Sequence, residues 1–233
     1  MEAVLLRPLS AERNNRRKDE RLCSPSTVNA NAADACVHVT GMSLSAAATV
    51  GLTVVAALHL SALHVVALGI YCFGMVSMFV SSACYNMMHA HRWREYLRRA
   101  DHSAIFVMIA GSYTPFTLLK IGGLADYGLL VAVWGIAIAG VILKLCFARR
   151  FERLAVALYL AQGWAIVVAF NPLLASVSAR ALALLVLGGC LYSVGVIFHL
   201  WDKLKFHNAI WHGFVLVAVA CHFGAVCDAV FLT

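Results

Sequence analysis

Asp101-His102-Ser103-Ala104-Ile105-Phe106-Val107-Met108-Ile109-Ala110-Gly111-Ser112-Tyr113-Thr114-Pro115-Phe116-Thr117-Leu118-Leu119-Lys120 opens on an acid and a histidine, runs through an apolar stretch and stops at a lysine. At 1.5 Å per residue, a helix over 102–120 approaches the ~30 Å thickness of a bilayer's hydrocarbon core. An ionisable pair at the mouth of such a span is expensive to place there, and it marks a candidate functional site.

The rest of the chain repeats the apolar pattern. It is 62% hydrophobic and only 12% charged over 233 residues, with a mean hydropathy of +0.83. A soluble domain would carry about 25% charge. At about 20 residues per crossing, the length allows about seven spans and no sizeable soluble domain. The sequence divides into spans at 39–58, 65–88, 102–120, 127–147, 154–172, 181–201 and 209–231. The fold class is therefore an all-α, seven-helix transmembrane bundle over 37–233. Short connections make neighbouring helices antiparallel. Pro115 and Pro172 fall inside or at the end of spans, where membrane helices tolerate proline.

Residues 1–36 read as a disordered polar arm in the cytosol. Its basic residues alternate with Glu12, Asp19 and Glu20. With no apolar h-region it does not resemble a cleaved signal peptide, and its acids do not suit a transit peptide. The net charge of +7 invites a nucleic-acid reading, but the basic residues flank spans instead of forming a groove. Arg7, Arg13, Arg16, Arg17, Lys18 and Arg21 precede the first span. Arg92, Arg94, Arg98 and Arg99 follow the second. Lys144, Arg149, Arg150 and Arg153 surround the fourth loop, and Lys203 and Lys205 lie in the sixth. Of the 18 Lys and Arg, only Lys120 and Arg180 fall on the opposite side. The positive-inside rule then puts the N-terminus in the cytosol and the C-terminus outside. Cys72, Cys84, Cys146, Cys190, Cys221 and Cys227 sit in or beside spans without metal-like spacing, and read as small apolar residues.

In this orientation, polar residues from distant spans meet at one depth. Ser82 and Asn86, four apart, share a face at the cytosolic end of the second span. Asp101 and His102 open the third. Asn208 and His212, again four apart, open the seventh, and His38 begins the first. Each also has a structural role open to it. Ser82 suits a bond to its own backbone, and Asp101 suits an interfacial ion pair with Arg98 or Arg99. His207 falls in a loop and reads as solvated. His222 is about 15 Å deeper than His212 and reads as an intrahelical hydrogen-bonding histidine. Tyr85 and Tyr113 read mainly as packing residues.

Three stretches carry a family resemblance: Ser82-Ala83-Cys84-Tyr85-Asn86, then Leu97 to Phe116, and Phe206-His207-Asn208-Ala209-Ile210-Trp211-His212. In this order the chain resembles the hemolysin III family of the progestin and adipoQ receptor superfamily. The resemblance covers nearly everything from Asp34 onward. It implies a zinc ion at the cytosolic end of the bundle. One histidine would come from the second span, four residues after a serine, and an i, i+4 histidine pair from the seventh. An acid at the start of the third span would complete the site. Zinc held by three ligands lowers the pKa of bound water to about 7, and the implied reaction is hydrolysis of a lipid amide such as a ceramide. By that resemblance, Asp101 and Ser82 are the candidate catalytic residues and His212 a metal ligand.

The chain departs from the implied ligand set at two positions. Asn86 and Asn208 stand where histidines are implied. An amide oxygen is a neutral, hard ligand, whereas zinc prefers imidazole or thiolate, so zinc affinity at this set is expected to be low. His207 is the candidate substitute, although five residues from His212 puts it about 140° around a helix. Asn86 and Asn208 are expected to bond each other across the site. The expected function is a lipid-interacting membrane protein with a weakened zinc site. The alternatives are a zinc-dependent lipid amide hydrolase and a cytolysin, as the family name implies. A transporter is disfavoured because no internal repeat is visible. The expected partner is membrane lipid, with no nucleic acid, and the expected location is the plasma membrane, a bacterial inner membrane by its short spans.

Overall fold

The computed structural model describes residues 25–88, 92–121, 124–147, 149–201 and 203–232. Among these it contains helices and no strand. In chain order the helices are α1 (Pro25–His59), α2 (Ala62–Met87), α3 (Arg94–Phe116), α4 (Leu124–Cys146), α5 (Glu152–Gly163), α6 (Phe170–Ser176), α7 (Ala179–His199) and α8 (His207–Phe231). Six are long and apolar enough to cross a membrane: α1, α2, α3 with its extension to Lys120, α4, α7 and α8. A polar arm was expected over 1–36. Residues 1–24 of it lie outside the described residues, and α1 takes in residues 25–36.

The fifth expected span, 154–172, is not one helix. α5 ends at Gly163, a 3-10 turn runs over Ala165–Ala169, and α6 resumes for seven residues. Proline explains part of the break. Pro172 has no N–H to offer the carbonyl of Val168, and its ring would collide with that carbonyl in a continuous helix. Broken backbone at membrane depth must find partners inside the protein. Tyr113 of α3 supplies them. Its hydroxyl donates toward the carbonyls of Gln162 (2.9 Å) and Gly163 (2.7 Å). It also accepts the Ile166 N–H at 2.9 Å. The fully buried Gln162 donates its amide to the carbonyls of Phe106 and Val133, each at 3.2 Å. Tyr113 thus does more than the packing expected of it.

α3 has a second irregularity. After Pro115 the helix widens into a π-helical turn over Thr117–Ile121. The hydroxyls of Thr114 and Thr117 turn back onto the carbonyls of Ala110 and Tyr113, each at 3.0 Å, as membrane-helix hydroxyls commonly do.

α1 packs on α2, α2 on α3 and α3 on α4, and α8 closes the bundle against both α7 and α1. α2 and α3 approach most closely where Gly74 faces Gly111. A β-carbon on Gly74 would stand 3.1 Å from the Val107 carbonyl oxygen, and one on Gly111 3.2 Å from that of Ile70. Small residues allow this approach, which maximises packing where lipid is as apolar as the side chains. At the end of the bundle remote from the site, Asp228 near the end of α8 accepts from Ser178 and Arg180 at the start of α7. The large apolar residues left outside, such as Val131, Ile138, Leu187 and Ile197, lie on spanning helices, where the surrounding medium is lipid.

Candidate functional site

Asp34 and His38 are one helical turn apart on α1, so both side chains leave the same face. That face meets the start of α8. Oδ1 of Asp34 accepts from Nδ1 of His212 at 2.6 Å. Oδ2 lies 3.4 Å from Nε2 of His38. The two imidazole rings are 4.3 Å apart between centroids, tilted by 54°. One carboxylate therefore bridges two histidines from opposite ends of the chain. The His38 side chain is 3% exposed, and its Nε2 makes no hydrogen bond. One ligand atom from each of Asp34, His38 and His212 lies within 4.8 Å of the others, a group able to hold a metal ion.

α2 and α3 supply the next part of the site. Ser82 is buried and Asn86 half-buried, on one face as their spacing requires. Asn86 donates its amide to the Ser82 carbonyl at 2.9 Å and approaches the Ser82 hydroxyl at 3.5 Å. The bond expected between Asn86 and Asn208 is not made; the Asn86 amide is spent on its own helix. Asp101 lines the same cavity as Ser82, His38, His102 and His212, and its carboxylate lies 3.9 Å from Nδ1 of His102. His102 turns its Nδ1 to the Arg98 carbonyl at 2.8 Å, and Tyr159 of α5 donates to the His102 carbonyl at 2.8 Å.

One cavity of about 410 Å³ collects these groups: Ser82, Asn86, Asp101, His207, Asn208 and His212 all line it. These side chains of α2, α3 and α8 therefore share one cavity. Asn208 is exposed. His207 is the first residue of α8 rather than a loop residue. It is half-buried and its Nδ1 has no hydrogen-bond partner. Deeper, the wall passes Met108, Val215, Trp164 and Tyr192 and ends near His222. His222 turns its Nδ1 to the Ala218 carbonyl at 2.9 Å, the intrahelical bond expected of it. The cavity is therefore polar at one end and largely apolar and aromatic beyond. Gly163 and Trp164, at the break in α5, form part of its wall.

An ionic network surrounds the polar end. Glu152, which opens α5, accepts from Arg98 of α3 and Lys144 of α4, each at 2.8 Å. Arg98 also reaches Glu95 at 3.1 Å, and Arg149 meets Glu95 at 3.2 Å. The Lys144 side chain is 1% exposed, so its pairing with Glu152 is structural. These ends of α3, α4 and α5 are tied together beside Asp101 and His102.

The zinc ligands implied by resemblance do not fit at 86 and 208. The Asn86 nitrogen is engaged as a donor, and neither amide offers the imidazole or thiolate that zinc selects. Asp34, His38 and His212 do fit, with two imidazoles and a carboxylate. Asp34 is the residue sequence reasoning missed, because hydropathy ended the first span after it. The available signal was Asp34-x-x-x-His38, two metal-capable side chains at helical spacing. The described cysteines are all unpaired thiols.

A family model described as Haemolysin-III related matches residues 27–223. The Hemolysin-3 homolog of Bacillus subtilis (strain 168) is 42% identical over 200 residues, covering 86% of this chain and 94% of that protein. Hemolysin-3 of Bacillus cereus is 40% identical over 194 residues, covering 83% and 89%. The human Monocyte to macrophage differentiation factor is 30% identical over 170 residues, covering 67% of each chain.

Proposed function

The chain belongs to the haemolysin III family, within the progestin and adipoQ receptor superfamily, and from that premise we propose that this multi-pass plasma-membrane protein admits the polar end of a membrane lipid into the cavity between α1, α2, α3 and α8. In this reading α5 and α6 together make a seventh crossing, residues 37–233 form the membrane domain, and the N-terminus faces the cytosol. The positive-inside distribution supports the orientation. It would put Arg98, Lys144 and Arg149 at the cytosolic end, and the network they share with Glu95 and Glu152 keeps them at one end of the bundle.

The observation that carries the proposal is the cavity itself. Its polar end combines Ser82, Asn86, Asp101 and His212, and its deeper wall is lined by residues such as Met108, Val215 and Trp164. Such a cavity matches a molecule with one hydrogen-bonding end and a hydrocarbon body. Few polar groups set in a mostly apolar wall is the usual composition of a small-molecule site. Asp101 and Ser82 would receive the lipid's hydroxyl or amide. The test is binding of a fluorescent short-chain ceramide to the full chain in mild detergent. Saturable binding that weakens in Asp101→Asn supports the proposal. Binding that is absent, or indifferent to that change, counts against it.

A second reading, lipid amide hydrolysis, is favoured by a cavity that Ser82 and Asp101 line together with the metal-capable His38 and His212. A metal bound there would act as a Lewis acid and supply a nucleophile at neutral pH. Asp101 would hold or move a proton at its carboxylate, and Ser82 would orient it. Release of free fatty acid from short-chain ceramide, lost in Asp101→Ala and on chelation, would establish this reading. Two relatives carry the name hemolysin, and release of haemoglobin from erythrocytes by the purified protein would test a cytolytic role.

A further inference from the structure

We propose that Asp34, His38 and His212 form a divalent transition-metal site, with zinc the best-suited ion, in which the first helix supplies ligands that Asn86 and Asn208 do not provide. The ligand set differs from the one the family resemblance implies, and it rests on groups of this chain alone. Two imidazoles and a carboxylate suit zinc and its neighbours in the first transition series; magnesium and calcium take oxygen ligands instead.

Three observations converge. First, the donor atoms already lie within 4.8 Å of one another. Ligands on a tetrahedral zinc, at 2.0–2.2 Å from the ion, stand about 3.4 Å apart. Asp34 Oδ2 and His38 Nε2 are at 3.4 Å. Second, His38 Nε2 is buried without a hydrogen bond. Burying such a group unsatisfied is costly, and a native exception calls for an explanation such as an ion. A metal at this point would satisfy that nitrogen. Third, the Asp34–His212 contact holds together side chains from α1 and α8, so the site is assembled by the fold before any ion arrives. Binding would exchange this hydrogen bond for two metal bonds, with donor atoms that lie within 4.8 Å of one another settling to the same tetrahedral spacing.

Three protein ligands leave a fourth position open, the arrangement of catalytic rather than structural zinc. His38 and His212 both line the cavity, which would put an ion held by them at its wall. Whether the occupant is a lipid depends on the proposed function above; metal binding does not.

The test uses the full chain in mild detergent, stripped with a chelator and titrated with Zn²⁺, and with Co²⁺ as a spectroscopic probe. The expected result is one equivalent bound, with the intense visible bands of tetrahedral Co²⁺. Asp34→Asn, which keeps a hydrogen-bond acceptor for His212, and His38→Gln should each weaken binding by more than the 10–100-fold that loss of an outer-shell partner costs. Absence of stoichiometric binding overturns the proposal. So does wild-type affinity in both variants, or dependence on Asn86 or Asn208 with Asp34→Asn indifferent. Should a variant misfold, the wild type suffices. Zn²⁺ should shield His38 and His212 from histidine acylation mapped by mass spectrometry, and equal labelling with and without Zn²⁺ overturns the site. Ceramide binding measured on the same samples separates the two proposals, since its loss with metal binding intact sinks only the lipid reading.

Discussion

Nδ1 of His212 lies 2.6 Å from Oδ1 of Asp34, a bond that joins residues 178 positions apart and closes α8 onto α1. Asp34 also faces His38 through its other oxygen. Removing the carboxylate therefore strips His212 of its hydrogen-bond partner and His38 of its neighbouring negative charge. Asp34→Ala should destabilise the metal-free protein by about 1–3 kcal/mol, the usual cost of unsatisfied buried polar groups. Asp34→Asn, which retains an acceptor, should lose less. Thermal unfolding in detergent with chelator present measures both. Equal loss in the two variants would show that the hydrogen bond contributes nothing.

Metal binding at this group should also depend on pH in a fixed direction. Ligating histidines must be deprotonated and the carboxylate ionised, so binding releases protons. Zinc affinity should fall as the solution is acidified, and protons should be released on binding at mildly acid pH. Calorimetry in two buffers of different ionisation enthalpy reads that release directly. Proton uptake on binding would contradict the ligand assignment.

Tyr113 holds the break between α5 and α6. Its hydroxyl serves two carbonyls and one N–H. Tyr113→Phe removes it while keeping the ring, and leaves those groups unsatisfied away from water. The loss should be about 1–3 kcal/mol. Hydrogen exchange at the Ile166 amide should speed up more than exchange at α2 or α8. Uniform acceleration across the protein would mean that Tyr113 supports the whole bundle and not the break in particular.

Which of these features the sequence disclosed follows from their physical origin. Spacing of four placed Ser82 with Asn86 and Asn208 with His212 on single helix faces, and all four line one cavity with Asp101. Helical period is a local signal, so it is legible. Asp34 was not, because hydropathy ends a span where polar residues begin, while the α-helix continues through the alanine-rich Asn29–Cys36 on backbone propensity. The division of the fifth span was hidden for another reason. Its partners are Tyr113 and Phe106 on α3, some 50 positions away, and nothing near Gly163 announces them. The Asn86–Asn208 pairing failed because Ser82 offers Asn86 a carbonyl on its own helix, at no cost in reorganisation.

Restoring imidazole at the two degenerate positions tests the site from the other direction. Asn86 and Asn208 both line the cavity with His212, and 208 is one turn from 212 on α8. Together Asn86→His and Asn208→His would create a three-imidazole set sharing His212 with the group on α1. Zinc affinity should rise in the double variant. The more telling measurement adds Asp34→Asn to it. In the wild-type background that change should remove most of the zinc binding, because Asp34 is one of only three ligands. In the double-histidine background it should cost far less, because the two introduced imidazoles would hold the ion with His212. Such non-additivity is the mark of residues competing for one shared partner. An equal loss in both backgrounds would mean that positions 86 and 208 do not converge on His212, and that the cavity's polar end is too wide to hold a single ion between α2 and α8.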